Sequence, residues 1–474
     1  MPATGLALDR REFARLAQES RPTAPVRIVH LGLGAFHRAH QAWYTDLATD
    51  ATQWGIAAFT GRSPELAQTL EAQDGLYTLL ERADHRDTAR VVQSIVEVRD
   101  GAEMNRFLEL LADPNVAIVT LTVTEAGYRL TPDLAPDLED ELLSADVVLL
   151  RSLMAAADSD PKPPTAPSTP LGRLLLGLDA RRRRDSGAIA IVPCDNIPAN
   201  GRVVGEAVLA LADLVCSETG DWIRRNVSFV STSVDRITPR TTPEDSSLAA
   251  ELTGWSDLAP VVTEPFSDWV LAGDFPAGRP RWESAGARFV DDVGPFERRK
   301  LWLLNGAHSL LAYVGMRRGH QTVAEAIGDP VCRSLVEALW TEASRHLAHG
   351  LEIDAYRASL LERFGNSRIE HRLDQIGVDA VLKLRARIVD VAIGELATGR
   401  TGEASARVIA AWISLLRAGS RLRDSAASAI DSVLAAGWTA DTPRSLVGLI
   451  DHDLAWNSDF ISIIETVLAE EETP

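Results

Sequence analysis

The chain has 474 residues, 46% of them hydrophobic and 24% charged, an ordinary globular composition with enough apolar material for two or three domains. Its 67 acidic residues outnumber its 48 basic ones, and a net charge of -19 argues against nucleic acid or an anionic membrane as the main partner. No apolar run reaches about 18 residues and no signal-peptide pattern is present, so we expect neither a membrane span nor secretion.

Strand and helix patterns alternate from the start of the chain. Val26–Leu31 is predicted as a short buried strand, a helix follows through Ala48, and Gly55–Thr60 is predicted as a second strand. The alternating runs Tyr77–Glu81 and Val91–Val98 predict an antiparallel pair inserted after that strand.

The same alternation resumes further along the chain. A helix is predicted at Ala102–Ala112 and an apolar strand at Val116–Val123, followed by a helix at Pro170–Arg183 and a strand at Ala188–Val192. This order predicts an α/β domain with a doubly wound parallel sheet. The basic run Arg181–Arg184 is interpreted as a solvated helix end.

The pattern changes after about residue 295. Helical periodicity dominates Thr322–Leu351, Asp379–Thr398 and Ala404–Leu416, and few strand candidates remain. We therefore predict a dinucleotide-binding domain over residues 1–294 and a mostly α-helical substrate and catalytic domain over residues 295–474.

Cysteine and histidine spacing argues against a metal centre. Cys194, Cys216 and Cys332 form neither a disulfide framework nor a zinc-ligand pattern, and they suit a reducing cytoplasm, which is the predicted location. The ten histidines show no metal-ligand spacing. No metal is expected.

A glycine turn follows the first predicted strand. Gly32, Gly34, Ala35, Phe36 and His37 stand in a variant of G-x-G-x-x-G, with the histidine at the third glycine position. The first glycine permits a tight turn, the second lets the backbone approach a pyrophosphate, and the next helix begins toward the anion. We predict that the first four residues contact a dinucleotide. The alternative is a glycine-rich turn that binds nothing.

The second strand lacks the acid that normally binds the adenosine ribose. It continues into Thr60-Gly61-Arg62-Ser63, where Arg62 could face a 2′-phosphate, stack on adenine or be a solvated loop arginine. Thr122, in the strand Val116–Val123, is a further predicted cofactor contact. NAD is the predicted cofactor, and NADP stays possible.

The segment KLWLLNGAH places Lys300, Asn305 and His308 on one predicted helix. An amine, an amide and an imidazole are the groups that carbonyl–alcohol redox chemistry uses to move a proton and hold an alkoxide. The alternative is an amphipathic helix with a snorkelling lysine. Asn196 follows the strand that ends at Val192, where carboxyl ends of strands line the ligand crevice.

Several stretches of the chain resemble one family, the polyol-specific long-chain dehydrogenases, which include mannitol 2-dehydrogenase and fructuronate reductase. The matching stretches are HLGLGAFHRAHQAWYTD, VTEAGY, VPCDNIPANG, STSVDRITP and KLWLLNGAHSLLAYVG. The resemblance extends from about Val26 into the C-terminal helices. It implies a zinc-independent, NAD(P)-dependent secondary alcohol dehydrogenase with a Rossmann-type N-terminal domain and a helical C-terminal domain.

The resemblance also implies roles for individual residues. Lys300 matches the family's catalytic lysine, and Asn196 and Asn305 match its two oxyanion-stabilising asparagines. His308 matches the substrate-binding histidine, and Asp235 matches an aspartate near the active site.

The substrate is less well defined. The predicted reaction interconverts a polyol and a ketose. The alternative is a uronate reductase of the fructuronate–mannonate type, because His371-Arg372 followed by Gln375-Ile376 resembles that branch. Arg368 and Arg372 could clamp a substrate carboxylate. They could equally be structural. A non-catalytic dinucleotide-binding protein is a further alternative, and the sequence does not define the oligomeric state.

Overall fold

The computed structural model describes residues 5–61, 64–155 and 166–470. The chain forms two compact units, Met1–Gly294 and Pro295–Pro474. None of the helices in the described ranges combines the length and the hydropathy needed to cross a membrane.

A parallel sheet of six strands organises the described part of the first unit, and its strand order is β3-β2-β1-β4-β5-β6. Its strands are β1 (Val26–Leu31), β2 (Gly55–Phe59), β3 (Ile95–Arg99), β4 (Ile118–Leu121), β5 (Ile189–Pro193) and β6 (Val227–Phe229). The order reverses between β1 and β4, which is the doubly wound topology, and ligands bind at the carboxyl ends of the strands beside that point. The predicted α/β fold is confirmed.

Both faces of the sheet are covered, which explains why its strands are mostly apolar. Successive residues of β2 enter opposite cores: Ala57 and Phe59 pack with Phe107 on one face, whereas Ile56 and Ala58 pack with Trp269 on the other. This alternation fixes the register, because a slip of one residue would exchange the two faces.

The predicted antiparallel pair is correct in part. Tyr77–Arg82 does pair antiparallel, but with Asp87–Val92, and the prediction that Val91–Val98 is its partner is wrong in extent. The chain bends at Ser94, whose hydroxyl donates to the Ala42 carbonyl over 2.7 Å, and then becomes β3 of the main sheet. The alternating pattern continues across this bend, so it does not reveal that two strands are present.

Arg181 corrects a second interpretation, because it is fully buried rather than solvated. Its guanidinium donates to a ring of backbone carbonyls, which lie at Leu111, Asp113, Ser186, Gly187 and Ala188. A buried guanidinium is tolerated when acceptors surround it. The residue therefore ties the end of its helix to the strand that follows.

The first unit has further elements around the sheet. Its other strands are Leu6–Ala7, Tyr77–Arg82, Asp87–Val92, Ser231–Asp235, Trp255–Ser256, Val261–Thr263, Asp268–Ala272 and Arg288–Phe289. Its α-helices are Arg10–Leu16, Ala35–Ala39, Gln41–Leu47, Glu65–Glu71, Met104–Leu111, Glu141–Ala155, Pro170–Arg183, Asn200–Val215, Ser217–Asn226 and Pro243–Thr253. Short 3₁₀ turns occur at Ala51–Gln53, Glu125–Tyr128 and Trp282–Ala285.

The regular elements of the second unit, as far as it is described, are helices. They include Gly294–Arg299, Gly306–Arg317, Val323–Gly328, Pro330–Ser344, Ile353–Gly365, Leu373–Ile376, Ala380–Leu384, Asp390–Ala397, Glu403–Arg417, Ala427–Leu434, Thr442–Ile450, His452–Trp456 and Ser458–Glu470. Two π turns, Lys300–Asn305 and Arg385–Val389, interrupt helices that otherwise continue. The run predicted at Thr322–Leu351 divides at Asp329, whose carboxylate caps the helix that Pro330 begins.

Candidate active site

The glycine turn after β1 has a geometry that only glycine tolerates at its first position. Gly32 has a φ of 106°, and a Cβ there would lie 2.5 Å from the carbonyl oxygen of Thr122. The amides of Gly32 and Leu33 both donate to the Phe59 carbonyl, and the Thr122 hydroxyl donates to the Gly32 carbonyl over 2.8 Å. Contacts from β2 and from the end of β4 thus fix the turn.

The second glycine of the turn is not required by the protein itself. Gly34 has a φ of -144°, which any residue adopts, and the Gly32 oxygen at 3.6 Å is the nearest atom to a Cβ placed there. Open space therefore lies beside this backbone, as close approach of a pyrophosphate requires. Ala35 and Phe36 follow in the first helical turn, whose amides have no intrahelical acceptors. The turn fits a dinucleotide.

Substitutions at the two glycines should separate folding from cofactor binding. We expect Gly34→Ala to leave the melting temperature nearly unchanged but to weaken NAD binding by about tenfold or more, because its methyl group enters the space left for the cofactor. Gly32→Ala should instead destabilise the domain, because the left-handed backbone and the Thr122 carbonyl both oppose a side chain. Calorimetric NAD titration and thermal melts test the pair. Wild-type NAD affinity in Gly34→Ala would contradict this placement of the cofactor.

Two stacked histidines lie beneath the glycine turn. His30 of β1 contacts Thr120 and Thr122 with its two ring nitrogens, at 2.8 and 3.1 Å, and its ring lies 8° from parallel with that of His37. Burial lowers the pKa of His30 to about 3 and that of His37 well below its usual range. Both rings are therefore neutral, and the side chain at the third glycine position is buried by stacking on His30.

Burial of neutral histidines predicts a pH dependence of stability. His30, His37 and His308 stay uncharged in the folded protein, whereas their unfolded counterparts take up protons below about pH 6.5. The free energy of unfolding should therefore fall by about 1.4 kcal/mol per pH unit for each, from about pH 6.5 down to the lowered folded pKa.

Urea unfolding between about pH 7 and about pH 5 measures that slope. The variant His308→Gln should show a shallower slope, and His85→Gln, which alters an exposed side chain, should keep the wild-type slope. A stability that does not change over this range would contradict the burial of neutral imidazoles.

The loop after β5 presents Asn196 at the carboxyl edge of the sheet. Buried neighbours hold the loop on both sides: Asp195 accepts a hydrogen bond of 2.7 Å from the Tyr128 hydroxyl, and the Asn200 side chain contacts Thr232. Burial raises the pKa of Asp195. Asn196 itself is exposed at the edge where ligands bind in such sheets.

Asp235 and Arg62 are the other predicted site residues of the first unit. Asp235 ends the strand Ser231–Asp235, is nearly buried and stands opposite Asp268 in the antiparallel register. The structure thus brings Gly32, Gly34 and Thr122 together. Arg62 lies outside the described residues.

Lys300, Asn305 and His308 lie on one continuous helix of the second unit, residues 294–317, which we name the lysine helix. A π turn runs from Lys300 to Asn305, and the Gly306 amide donates to the Leu301 carbonyl five residues earlier. The prediction of regular α-helical spacing is therefore wrong at this point. Lys300 and Asn305 are half-buried and His308 is buried. π turns are rare and often occur at functional sites.

Lysine usage also marks this helix. Only three of the 48 basic residues of the chain are lysines, at positions 162, 300 and 383. A guanidinium stays protonated, whereas an amine can exchange a proton. A chain that uses arginine almost everywhere therefore keeps an exchangeable amine on the lysine helix.

His308 is a neutral ring with a free nitrogen. Its ring centroid lies 5.0 Å from that of Phe364 and 4.8 Å from that of His371, and its Nε2 has no hydrogen-bond partner among the described residues. Burial lowers the pKa of His308 well below its usual range, and His371, Arg363, Arg387 and Lys383 lower it further. An unpaired buried nitrogen is costly, so it is suited to bind a ligand hydroxyl.

The residues predicted to bind a carboxylate do not all meet. His371 lies against His308, and burial lowers its pKa to about 4. Arg372 instead forms an ion pair with Asp374 at 2.9 Å near the surface. Arg368 is exposed in the segment between two helices. Arg363, Arg387 and Lys383, which sequence reasoning did not select, are cations that lower the pKa of His308.

One cluster among the described residues offers three atoms that could ligate a metal: His320, Asp329 and Cys332. Its carboxylate already accepts hydrogen bonds from Arg318 at 2.7 Å and from the Val331 amide at 2.8 Å. It includes none of the predicted catalytic residues.

The fold and the site geometry define a class of protein in which a dinucleotide-binding domain is joined to a helical domain with a half-buried lysine. Residues 26–284 match the Mannitol dehydrogenase Rossmann domain, and residues 292–470 match the Mannitol dehydrogenase C-terminal domain. The chain belongs to the mannitol dehydrogenase family.

Relatives of known sequence and structure agree with this assignment. The chain is 35% identical to D-mannonate oxidoreductase of Escherichia coli over 463 residues, 92% of this chain and 91% of the relative. It is 35% identical to mannitol 2-dehydrogenase of Aspergillus fumigatus, over 75% of this chain and 71% of that one.

A solved structure extends the comparison. The ternary complex of Pseudomonas fluorescens mannitol 2-dehydrogenase with NAD and D-mannitol superposes with a TM-score of 0.78 at 30% identity, covering 99% of this chain and 97% of that one. The predicted cofactor agrees with the NAD of that complex and with the Rossmann domain that this chain matches.

Proposed function

We propose that the protein is an NAD-dependent oxidoreductase that interconverts a secondary alcohol and the corresponding ketone on a polyhydroxylated chain. The observation that carries the proposal is the lysine helix, where three groups occur close together in the chain: an amine, an amide and a neutral imidazole whose Nε2 has no hydrogen-bond partner among the described residues. NAD, when bound at the glycine turn, supplies the hydride chemistry.

Each polar residue of the site has a proposed role. Lys300 acts as the general base, taking the hydroxyl proton during oxidation and returning it during reduction. Asn305 donates a hydrogen bond to the oxygen as negative charge develops, and Asn196 is proposed from the family resemblance as a second donor. The His308 Nε2 binds a substrate hydroxyl. Asp235 is proposed, again from the resemblance, to contribute to substrate binding.

Within this reaction, we propose a sugar acid as the preferred substrate. Arg363, Arg387 and Lys383 place positive charge near His308 and lower its pKa. A substrate carboxylate would offset that charge. The long alignment with a D-mannonate oxidoreductase supports the same choice.

The polyol–ketose pair is the second candidate. A structural relative was solved with D-mannitol bound, and its fold matches nearly the whole chain. Lys300, Asn305 and His308 require only an alcohol and its ketone, so the same residues serve either substrate.

A substrate panel separates the candidates. Mannonate, altronate, mannitol, arabinitol and sorbitol are each tested with NAD and with NADP, and we expect the highest kcat/KM for a sugar acid with NAD. A higher kcat/KM for mannitol would establish the polyol reaction instead. NAD binding without turnover on any member would indicate a non-catalytic protein.

Lys383 provides a mutational test of the proposed carboxylate preference. Its Nζ donates to the Ile376 carbonyl over 3.0 Å, and burial lowers its pKa. We expect Lys383→Met to raise KM for mannonate by about tenfold, the effect of losing one nearby opposite charge. Mannitol serves as the neutral control in the same variant. Equal losses with both substrates would contradict a charge-specific role.

Two further properties belong to the proposal. We propose that catalysis is independent of zinc, so that dialysis against a chelator leaves kcat unchanged. Loss of activity that zinc restores would contradict this. We also propose a cytoplasmic location, with which the three unpaired cysteines are compatible.

A further inference from the structure

Side chains from two other helices hold the π turn of the lysine helix. The Trp340 Nε1 donates to the Leu303 carbonyl over 2.7 Å, and the Arg387 Nη1 donates to the Asn305 carbonyl over 3.2 Å. Both acceptors lie within the π turn. The widened turn is thus anchored at two backbone positions by groups that are distant from it in sequence.

The first anchor is a fully buried tryptophan on the helix Pro330–Ser344. Its indole packs near Phe364, with ring centroids 6.3 Å apart. A buried indole N–H needs an acceptor, and the Leu303 carbonyl is the one that it contacts. Packing therefore fixes Trp340, and Trp340 in turn fixes the middle of the π turn.

The second anchor comes from the other π turn. Arg387 lies in Arg385–Val389 and donates both to the Asn305 carbonyl and, over 3.1 Å, to the Ser309 hydroxyl. One guanidinium thus joins the end of the π turn to the regular helix after it. Both bonds come from Nη1, and the planar guanidinium holds the two N–H groups of that nitrogen in a fixed orientation.

The register of the π turn matters for the chemistry. Successive residues of an α-helix are about 100° apart, and a π turn accommodates an additional residue. If the turn relaxed to α-helix or moved along the chain, Lys300 and His308 would rotate relative to each other by about that angle. An amine and an imidazole that must meet one substrate cannot tolerate such a rotation.

We infer that Trp340 and Arg387 are positioning residues that set the register of the π turn and thereby aim Lys300, Asn305 and His308. The inference rests on the proposed function for its catalytic consequence. The contacts themselves are independent of which substrate is bound.

Three variants and a matched control test the inference. Trp340→Phe keeps an aromatic ring but removes the N–H, and Arg387→Met removes the guanidinium. Arg387→Lys keeps the charge but replaces the planar guanidinium with a shorter, more flexible ammonium, which holds the two acceptors less rigidly. The control is Arg385→Met, because Arg385 lies in the same π turn but donates to the carbonyls of Leu449 and Ile450, each at 2.8 Å.

For each variant, we measure kcat and KM with mannonate and with mannitol, NAD affinity, and hydrogen exchange of a peptide covering residues 300–309. Trp340→Phe and Arg387→Met should lower kcat by up to about 10²-fold with both substrates, as misplaced reacting groups do. They should also speed exchange in that peptide and leave NAD affinity unchanged. Arg387→Lys should recover only part of kcat, and Arg385→Met should match the wild type.

Contrary outcomes are equally definite. Wild-type kcat and exchange in Trp340→Phe and Arg387→Met would overturn the inference, and so would an equal loss in Arg385→Met. Full recovery of kcat by Arg387→Lys with mannonate alone would assign Arg387 to substrate charge instead. If Arg387→Met does not fold, Trp340→Phe decides. If the wild type turns over no panel substrate, the proposed function fails, and hydrogen exchange still tests the anchors.

Discussion

Replacing Lys300 with alanine should lower kcat by about 10²–10⁴-fold, the range that a general acid–base group contributes. NAD affinity should not change, because the glycine turn that is proposed to bind NAD does not include Lys300. Added methylamine should restore part of the rate, since a free amine can take the place of the missing proton acceptor. Steady-state kinetics and NAD titration on the same preparation measure all three effects.

Lys300→Arg is the decisive companion to that variant. Arginine keeps the positive charge and a long flexible stem, but its guanidinium cannot give up a proton in this pH range. We therefore expect Lys300→Arg to lose nearly as much activity as Lys300→Ala, without rescue by amine. Activity close to that of the wild type in Lys300→Arg would show that charge, and not proton exchange, is what this position supplies.

Sequence periodicity predicted the strands of the main sheet but not where β3 begins. β1 and β2 could be recognised because strands that are buried on both faces are mostly apolar. β3 could not be separated from the preceding hairpin, because Gln93 and Ser94 are buried polar residues at the bend. They donate hydrogen bonds to Asp46 and Ala42, which lie in a helix distant in sequence. The local hydrophobic pattern cannot predict such contacts.

The lysine helix shows a similar limit within the site. Residue types identified Lys300, Asn305 and His308, but they did not reveal the π turn that displaces them from α-helical spacing. The same residues can form an α turn or a π turn. Which of the two forms depends on tertiary partners such as Trp340 and Arg387. The scarcity of lysine in the chain is a sequence feature that could have drawn attention to Lys300.

Asn305→Ala should lower kcat by about 10²–10³-fold, the effect of losing one donor to a developing oxyanion. This variant removes the side-chain amide of Asn305 without disturbing its backbone. Arg387 holds the backbone carbonyl of Asn305, so truncation to alanine leaves that anchor in place. Hydrogen exchange of residues 300–309 should therefore match the wild type, and NAD affinity should not change.

Asn305→Asp tests hydrogen-bond donation directly. Aspartate has nearly the same shape as asparagine, but its ionised carboxylate can only accept hydrogen bonds. A carboxylate there would also repel the alkoxide, so its kcat should be no higher than that of Asn305→Ala. Asn196→Ala should likewise lower kcat more than NAD affinity, and a change confined to NAD affinity would remove Asn196 from the proposed donors. Full activity in Asn305→Asp would contradict hydrogen-bond donation at position 305. The loss should be similar for mannonate and mannitol, because the donor acts on the reacting oxygen that both substrates share.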